Sequence, residues 1–222
     1  MEQLSVRSFI ANGHDYHLYV YDDVKGVPDG VAIKDANTVL PSSVLIEFRE
    51  RKDFAIFADL FRYKLLLEHG GWWADSDVIC LKQFDFNQEY VFATERDTEG
   101  REFVTNGIIK AIIGSDVMAR AYEACRSRKP ALIRWGETGP LLIHQLVFRT
   151  PLCCFVKGAN TFCPIDPARF FHAVLPGRIF NFEEETYAVH LWNELWRRHG
   201  FDKDSLHASG CLYERLKKLY LL

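Results

Sequence analysis

The chain predicts an α/β fold, because runs with helical periodicity alternate with short runs of branched and aromatic residues. Its 222 residues, 48% of them hydrophobic, are enough for one sizeable core and too few for two independent ones. One domain over residues 1–222 is therefore expected, with a central mixed sheet flanked by helices.

Residues 4–11 read as a short helix and His17 to Tyr21 as a strand. Residues 22–37 carry Gly26, Pro28, Asp29, Gly30 and Asp35 and have the chemistry of a loop. A helix follows from Asp53 to His69, with Asp53 available as N-cap and Gly70-Gly71 as its stop. At about 100° per residue, Phe54, Ala58, Phe61 and Leu65 form one apolar stripe and Ile56, Leu60 and Leu67 another, while Lys64 and Glu68 face solvent. Asp59 and Arg62 lie three apart, are neighbours, and point into the protein. Buried charges need partners, so this pair is singled out.

Val78 to Leu81, Tyr90 to Ala93 and Phe103 to Ile113 are further strands. Thr105-Asn106-Gly107 interrupts the last of them, and Asn and Gly inside a strand signal a bulge or the close approach of a ligand. A kink facing substrate is expected there. Ser115 can cap a helix to about residue 128, and Thr138 another through about Val147, with Gly139 and Pro140 in its first positions. The backbone N–H groups at that second start suit an anionic or hydroxyl-rich ligand. Thr161 to Ile165 and Tyr187 to Leu191 are short strand candidates, and a terminal helix is expected over 204–222. Leu212, Leu216 and Leu219, with Arg215, Lys217 and Lys218 nearby, fit a helix packed on the domain or a peripheral contact with a membrane surface.

Composition narrows the function. A formal net charge of −3 with scattered Lys and Arg leaves no basic patch for nucleic acid. Cys80, Cys125, Cys153, Cys154, Cys163 and Cys211 show no Cys-x-x-Cys spacing, which disfavours a zinc module or disulfide framework and fits reduced thiols. No apolar run approaches the roughly 20 residues that span a bilayer, and Met1 to Arg7 lack a signal-peptide core, so a cytoplasmic location is expected.

The most informative motif is Asp75-Ser76-Asp77, just after Gly70-Gly71-Trp72-Trp73. Two carboxylates at i and i+2 can turn onto one divalent cation, and without a cation or donors they would repel strongly when buried. Trp72 and Trp73 suit either a site wall or a core.

Ala58-Asp59-Leu60-Phe61-Arg62-Tyr63, the Gly70-Gly71 break and Trp73-Ala74-Asp75-Ser76-Asp77 together resemble the sugar-binding region of the DXD-containing glycosyltransferases, a family that includes Golgi mannosyltransferases, bacterial capsule and lipooligosaccharide transferases and glucosylating toxins. Ala188-Val189-His190-Leu191-Trp192-Asn193 resembles the closing motif of related retaining transferases. The resemblance implies a GT-A fold and transfer of a hexose, with retention, from a UDP- or GDP-linked donor to an acceptor hydroxyl of a glycan, lipid or protein, as in surface polysaccharide or glycolipid synthesis. It further implies that Asp75, Asp77 and His190 bind Mn2+ or Mg2+ and that Asp59 and Arg62 hold the donor sugar; Asn106 of the strand interruption and Thr138 and Gly139 of the helix start are the other residues expected to bind that sugar. An imidazole ligand would favour manganese over magnesium, which prefers oxygen. No side chain is marked as a nucleophile, and a donor phosphate oxygen is the expected base.

Two rivals remain. Asp75-Ser76-Asp77-Val78 matches the Asp-x-Asp-x-Val of phosphohydrolases with an aspartate nucleophile, although Gly70 to Ala74 supplies little strand before it. The family also opens with a core strand before its first helix, and none precedes Leu4, so a truncated, non-catalytic sugar-nucleotide binding remnant is the non-enzymatic alternative.

Overall fold

A computed structural model describes every residue except 52–53, 129–131 and 135. The first helix, α1 (Glu2–Ala11), leads into β1 (Tyr16–Val20), which pairs in parallel with β2 (Val31–Asp35), Tyr16 facing Val31 and Val20 facing Asp35. The strand β2 lies in a stretch expected to be loop. Its half-exposed residues give no apolar alternation, so only pairing with β1 defines it. A second helix, α2 (Ser42–Arg51), was not marked by the sequence. The long α3 (Phe54–His69) matches expectation, although Asp53, its anticipated cap, lies outside the described residues.

Gly70 and Gly71 turn the chain with φ of 63° and 83°, and β3 (Gly71–Ala74) follows. Asp75-Ser76-Asp77 is a tight turn closed by Val78 N–H to the Asp75 carbonyl at 3.0 Å. Beyond it run β4 (Val78–Cys80), β5 (Val91–Arg96) and β6 (Glu102–Ala111). Next come α4 (Asp116–Arg126), capped by Ser115, and α5 (Pro140–Val147). Thr138 does not cap α5; Gly139 holds that position, and the Thr138 hydroxyl is used elsewhere.

Residues 161–165, expected as a strand, instead end a short helix, α6 (Ala159–Phe162). The Glu102 carboxylate accepts from Ala159 N–H at 3.2 Å and satisfies the helix start from another element, which local propensity cannot reveal. The chain then forms β7 (Ala188–His190), α7 (Asn193–Arg198) and α8 (Leu212–Tyr220). The terminal helix begins later than residue 204, because Asp202 draws Asp204 N–H and the Ser205 hydroxyl into a local turn. Leu212, Tyr213 and Leu216 of α8 are buried and Leu219 is exposed. None of the described helices is long and apolar enough to cross a membrane.

The mixed α/β class is as expected, with the strands among the described residues in three small sheets: parallel β1–β2, antiparallel β3–β6–β5 and antiparallel β4–β7. The kink anticipated at Thr105-Asn106-Gly107 is a large bulge. Phe92 faces Ile109 while Thr94 faces Val104, so residues 105–108 stand opposite Ala93 alone. Two apolar clusters meet here. Val104 and Ile109 belong to one, with Phe61 and Tyr63 of α3; Ile108 belongs to the other, with Ile79 and Val189.

Gly70 carries the tightest turn. A Cβ there would lie 2.8 Å from Ile113 N, on a backbone already left-handed. Gly70→Ala is expected to cost about 3 kcal/mol, from the left-handed penalty plus overlap. Gly100→Ala, with φ of 79° and open space around the new methyl, should cost only the first part, about 1–2 kcal/mol. Paired thermal melts check the difference.

Candidate metal and donor site

The α3 backbone delivers Asp59 and Arg62 to one buried point, 8% and 5% exposed. Asp59 Oδ1 accepts from Asn106 Nδ2 at 2.7 Å, and Oδ2 accepts from the Thr138 hydroxyl at 2.9 Å. Asn106 Nδ2 also reaches the Tyr63 hydroxyl at 3.1 Å, which donates to the Thr138 carbonyl at 2.9 Å. Gly139 permits this closeness, since a Cβ would sit 3.1 Å from Asp59 Oδ2 and 3.2 Å from Asn106 Nδ2. The five residues expected at the donor sugar, Asp59, Arg62, Asn106, Thr138 and Gly139, are therefore brought together. Their polar atoms largely satisfy one another.

Arg62 bridges this cluster to the acidic turn. It lies 3.7 Å from Asp59 Oδ1 and 3.1 Å from Asp75 Oδ1, donates to the Asn106 carbonyl, and stacks 4.9 Å over the Trp73 ring. Trp73 Nε1–H donates to Asp75 Oδ1 at 2.8 Å, so one carboxylate oxygen is held by two donors. Asp75 Oδ2 turns toward Gly107, where a Cβ would lie 3.2 Å from it and 3.3 Å from His190 Cε1. The bulge thus brings a side-chain-free backbone against the acidic turn, and Asp75 N–H completes the contact with the Gly107 carbonyl at 2.8 Å.

Across the β4–β7 ladder, Val78 faces His190, which places Asp77 beside the imidazole. His190 Nε2 is 3.1 Å from Asp77 Oδ1, and Asn193 N–H donates to Asp77 Oδ2 at 2.8 Å. One ligand atom from each of Asp75, Asp77 and His190 falls within 4.8 Å of the others. Burial, with Asp77 adjacent, lifts the Asp75 carboxyl above its usual range despite Arg62. Burial also opposes ionisation of Asp77, but His190 and the Asn193 N–H outweigh it and hold that carboxyl low. His190 is pulled well above the ordinary imidazole range, burial being outweighed by Asp77.

The donor set fits a divalent cation. Two carboxylates and an imidazole suit manganese better than magnesium. The 3.1 Å between His190 Nε2 and Asp77 Oδ1 is close to the about 3.0 Å that separates adjacent ligands around an octahedral ion held at about 2.1 Å. His190 Nδ1 is buried without a hydrogen bond of ordinary geometry, although the Cys163 thiol lies close enough to act on the ring. The Asp75 and Asp77 side chains keep 28% and 14% of their surface exposed, so the cluster is reachable from solvent. Two concavities lie elsewhere. One of about 630 Å³, lined by Lys82, Asp85, Glu184 and Tyr187 among others, sits at the far end of the β4–β7 ladder; one of about 270 Å³ lies beside Tyr90 and Arg120.

Two neighbours of the site escaped the sequence. Glu95 on β5 is lifted by burial and feels both His190 and Asp75. Tyr16 on β1 is pushed up to about 12 by burial and the Asp75 charge. Neither lies in a motif, and only strand placement brings them here.

Residues 1–93 match the family described as "Glycosyltransferase sugar-binding region containing DXD motif", a span that holds Asp59, Arg62, Asp75 and Asp77. This part of the chain, less than half of its length, is similar to that family. No curated protein sequence matches it. The solved structure of the PaToxG glycosyltransferase aligns with a TM-score of 0.47 and 16% identity, over 67% of this chain and 62% of that one. The chain therefore spans less than two thirds of that structure's length.

Arg62 is the counter-charge for both halves of the site. Arg62→Met is expected to cost about 3–5 kcal/mol, since it leaves buried carboxylates facing each other. Adding Asp59→Asn should return part of that loss in denaturant unfolding.

Proposed function

We propose that the protein is a metal-dependent, retaining glycosyltransferase of GT-A type that moves a hexose from a nucleoside diphosphate sugar to an acceptor hydroxyl. The observation that carries this reading is the convergence of Asp75, Asp77 and His190 on one point, directly beside the buried Asp59–Arg62 pair. The family match over residues 1–93 supports the same class of reaction.

In this reading Asp75, Asp77 and His190 would hold Mn2+. A bound divalent ion supplies Lewis-acid stabilisation to the charge that builds on the departing diphosphate, worth several kcal/mol. Asp75 and Asp77 set the charge and placement of the diphosphate end of the donor. Arg62 fixes Asp75 through Oδ1 and leaves Oδ2 for ligation. The Asp59–Asn106–Thr138–Gly139 cluster forms the floor against which the sugar hydroxyls are read, since a mismatched stereoisomer would leave buried polar groups unpaired. The acceptor hydroxyl attacks on the face the diphosphate vacates and gives its proton to a donor phosphate oxygen. The carbon–oxygen bond to the leaving group breaks as that to the acceptor forms.

The test is release of nucleoside diphosphate from a panel of UDP- and GDP-hexoses with and without Mn2+. Release is expected to stop on chelation, to return with Mn2+, and to fall by about 10²–10³ in Asp77→Asn, the several kcal/mol of lost charge stabilisation at 1.36 kcal/mol per tenfold. Full activity of Asp77→Asn would overturn the metal role. Donor binding without turnover in the folded wild-type protein would favour a sugar-nucleotide binding remnant.

A further inference from the structure

Trp192 has a backbone that its residue type does not favour. Its φ and ψ of 59° and 50° are left-handed, a region bulky side chains rarely enter. Such strain persists only where surrounding contacts hold it, and here those contacts can be named. The indole is 9% exposed and donates Nε1–H to the Ile165 carbonyl at 2.8 Å. Its face stacks on the His190 imidazole, with centroids 3.9 Å apart and planes inclined by 29°.

The left-handed residue reverses the chain immediately after β7. As a result, nearly consecutive residues converge on Asp77. His190 Nε2 meets Oδ1, Leu191 N–H donates to the Asp77 carbonyl at 3.0 Å, and Asn193 N–H donates to Oδ2. An extended residue at 192 would carry Asn193 away from Asp77, and a side chain without a flat face would leave the imidazole unbacked.

We propose that Trp192 is a positioning residue for the cation site: its left-handed turn and stacked indole hold His190 and the Asn193 amide on Asp77, so that the ligand atoms stand ready before a cation arrives. The inference rests on the metal reading above, but the positioning itself is a property of the ion-free protein and can be judged separately.

Trp192→Phe and Trp192→Leu form the test. Both force an apolar residue into the left-handed turn and both lose the bond to Ile165, so strain and that bond drop out of the comparison. Phe keeps a flat ring for His190 and Leu does not. In the ion-free protein, Asn193 amide exchange is expected to be about tenfold faster in the Leu variant than in the Phe variant. The His190 ring protons should keep their ring-current shift with Phe and lose it with Leu. In calorimetric titration, Mn2+ affinity of the Phe variant should stay within about threefold of wild type, and that of the Leu variant should fall about tenfold or more. Equal Asn193 protection and equal Mn2+ affinity in the two variants would overturn the proposal. If wild type bound no Mn2+, the metal reading would fall while the exchange comparison still decided the role of Trp192. Should the Leu variant not fold, Trp192→Gly with added indole replaces it. Recovery of Asn193 protection on indole binding is then expected, and failure to recover with indole bound would overturn the proposal.

Discussion

A single buried guanidinium holds the site together. Arg62 faces Asp59 on one side and Asp75 on the other, with Asp77 just beyond. Taking such charges out of water costs several kcal/mol each, and replacing buried pairs by apolar residues is often neutral or stabilising. A chain of this size can build a core without them, so stability alone gives a poor account of their presence. The surroundings are shaped to keep them. Thr138 serves Asp59 instead of capping α5, Gly139 gives up a side chain to let the carboxylate in, and Trp73 offers both its ring face to Arg62 and its N–H to Asp75.

The bulge in β6 is what lets the two halves of the site meet. Strict alternation would put Val104 and Ile109, five residues apart, on opposite faces, yet both pack in the cluster built on α3. The extra residues opposite Ala93 absorb that mismatch and change the course of the strand. Asn106 is thereby aimed at Asp59, while Gly107 lies against Asp75 and the His190 ring. One irregularity thus serves the Asp59 cluster and the Asp75–His190 cluster at once. The β4–β7 ladder then sets His190, because its register places that residue level with the one after Asp77.

Much of this was legible in the residues, and for identifiable reasons. Helical spacing alone turns Asp59 and Arg62 inward, and both are buried as that spacing requires. Asn and Gly in a strand announce a backbone departure, and the bulge is there. Elements defined by distant partners were not legible. Gly71 to Ala74 looked too poor for a strand, but Trp72 and Trp73 pair with Lys110 and Ile109 of β6. Residues 161–165 have strand propensity, which a carboxylate from β6 at the α6 start overrides. Glu95 and Tyr16 carry no local mark, since their closeness to Asp75 is a product of sheet packing.

The geometry of the acidic turn also bears on the phosphohydrolase alternative. A short strand does precede Asp75, so the earlier objection about missing strand loses force. A stronger one replaces it. Asp75 Oδ1 is held by Arg62 and Trp73 N–H, so only Oδ2 is left for attack or for ligation, and the objection lies with the second aspartate. The second aspartate of such an enzyme must carry and deliver a proton, yet Asp77 is held below the usual carboxylate range by His190 and the Asn193 N–H. A carboxylate held low in this way is poorly suited to proton donation. The two aspartates are suited to presenting negative charge at fixed positions, which is what a divalent cation and the diphosphate it carries require.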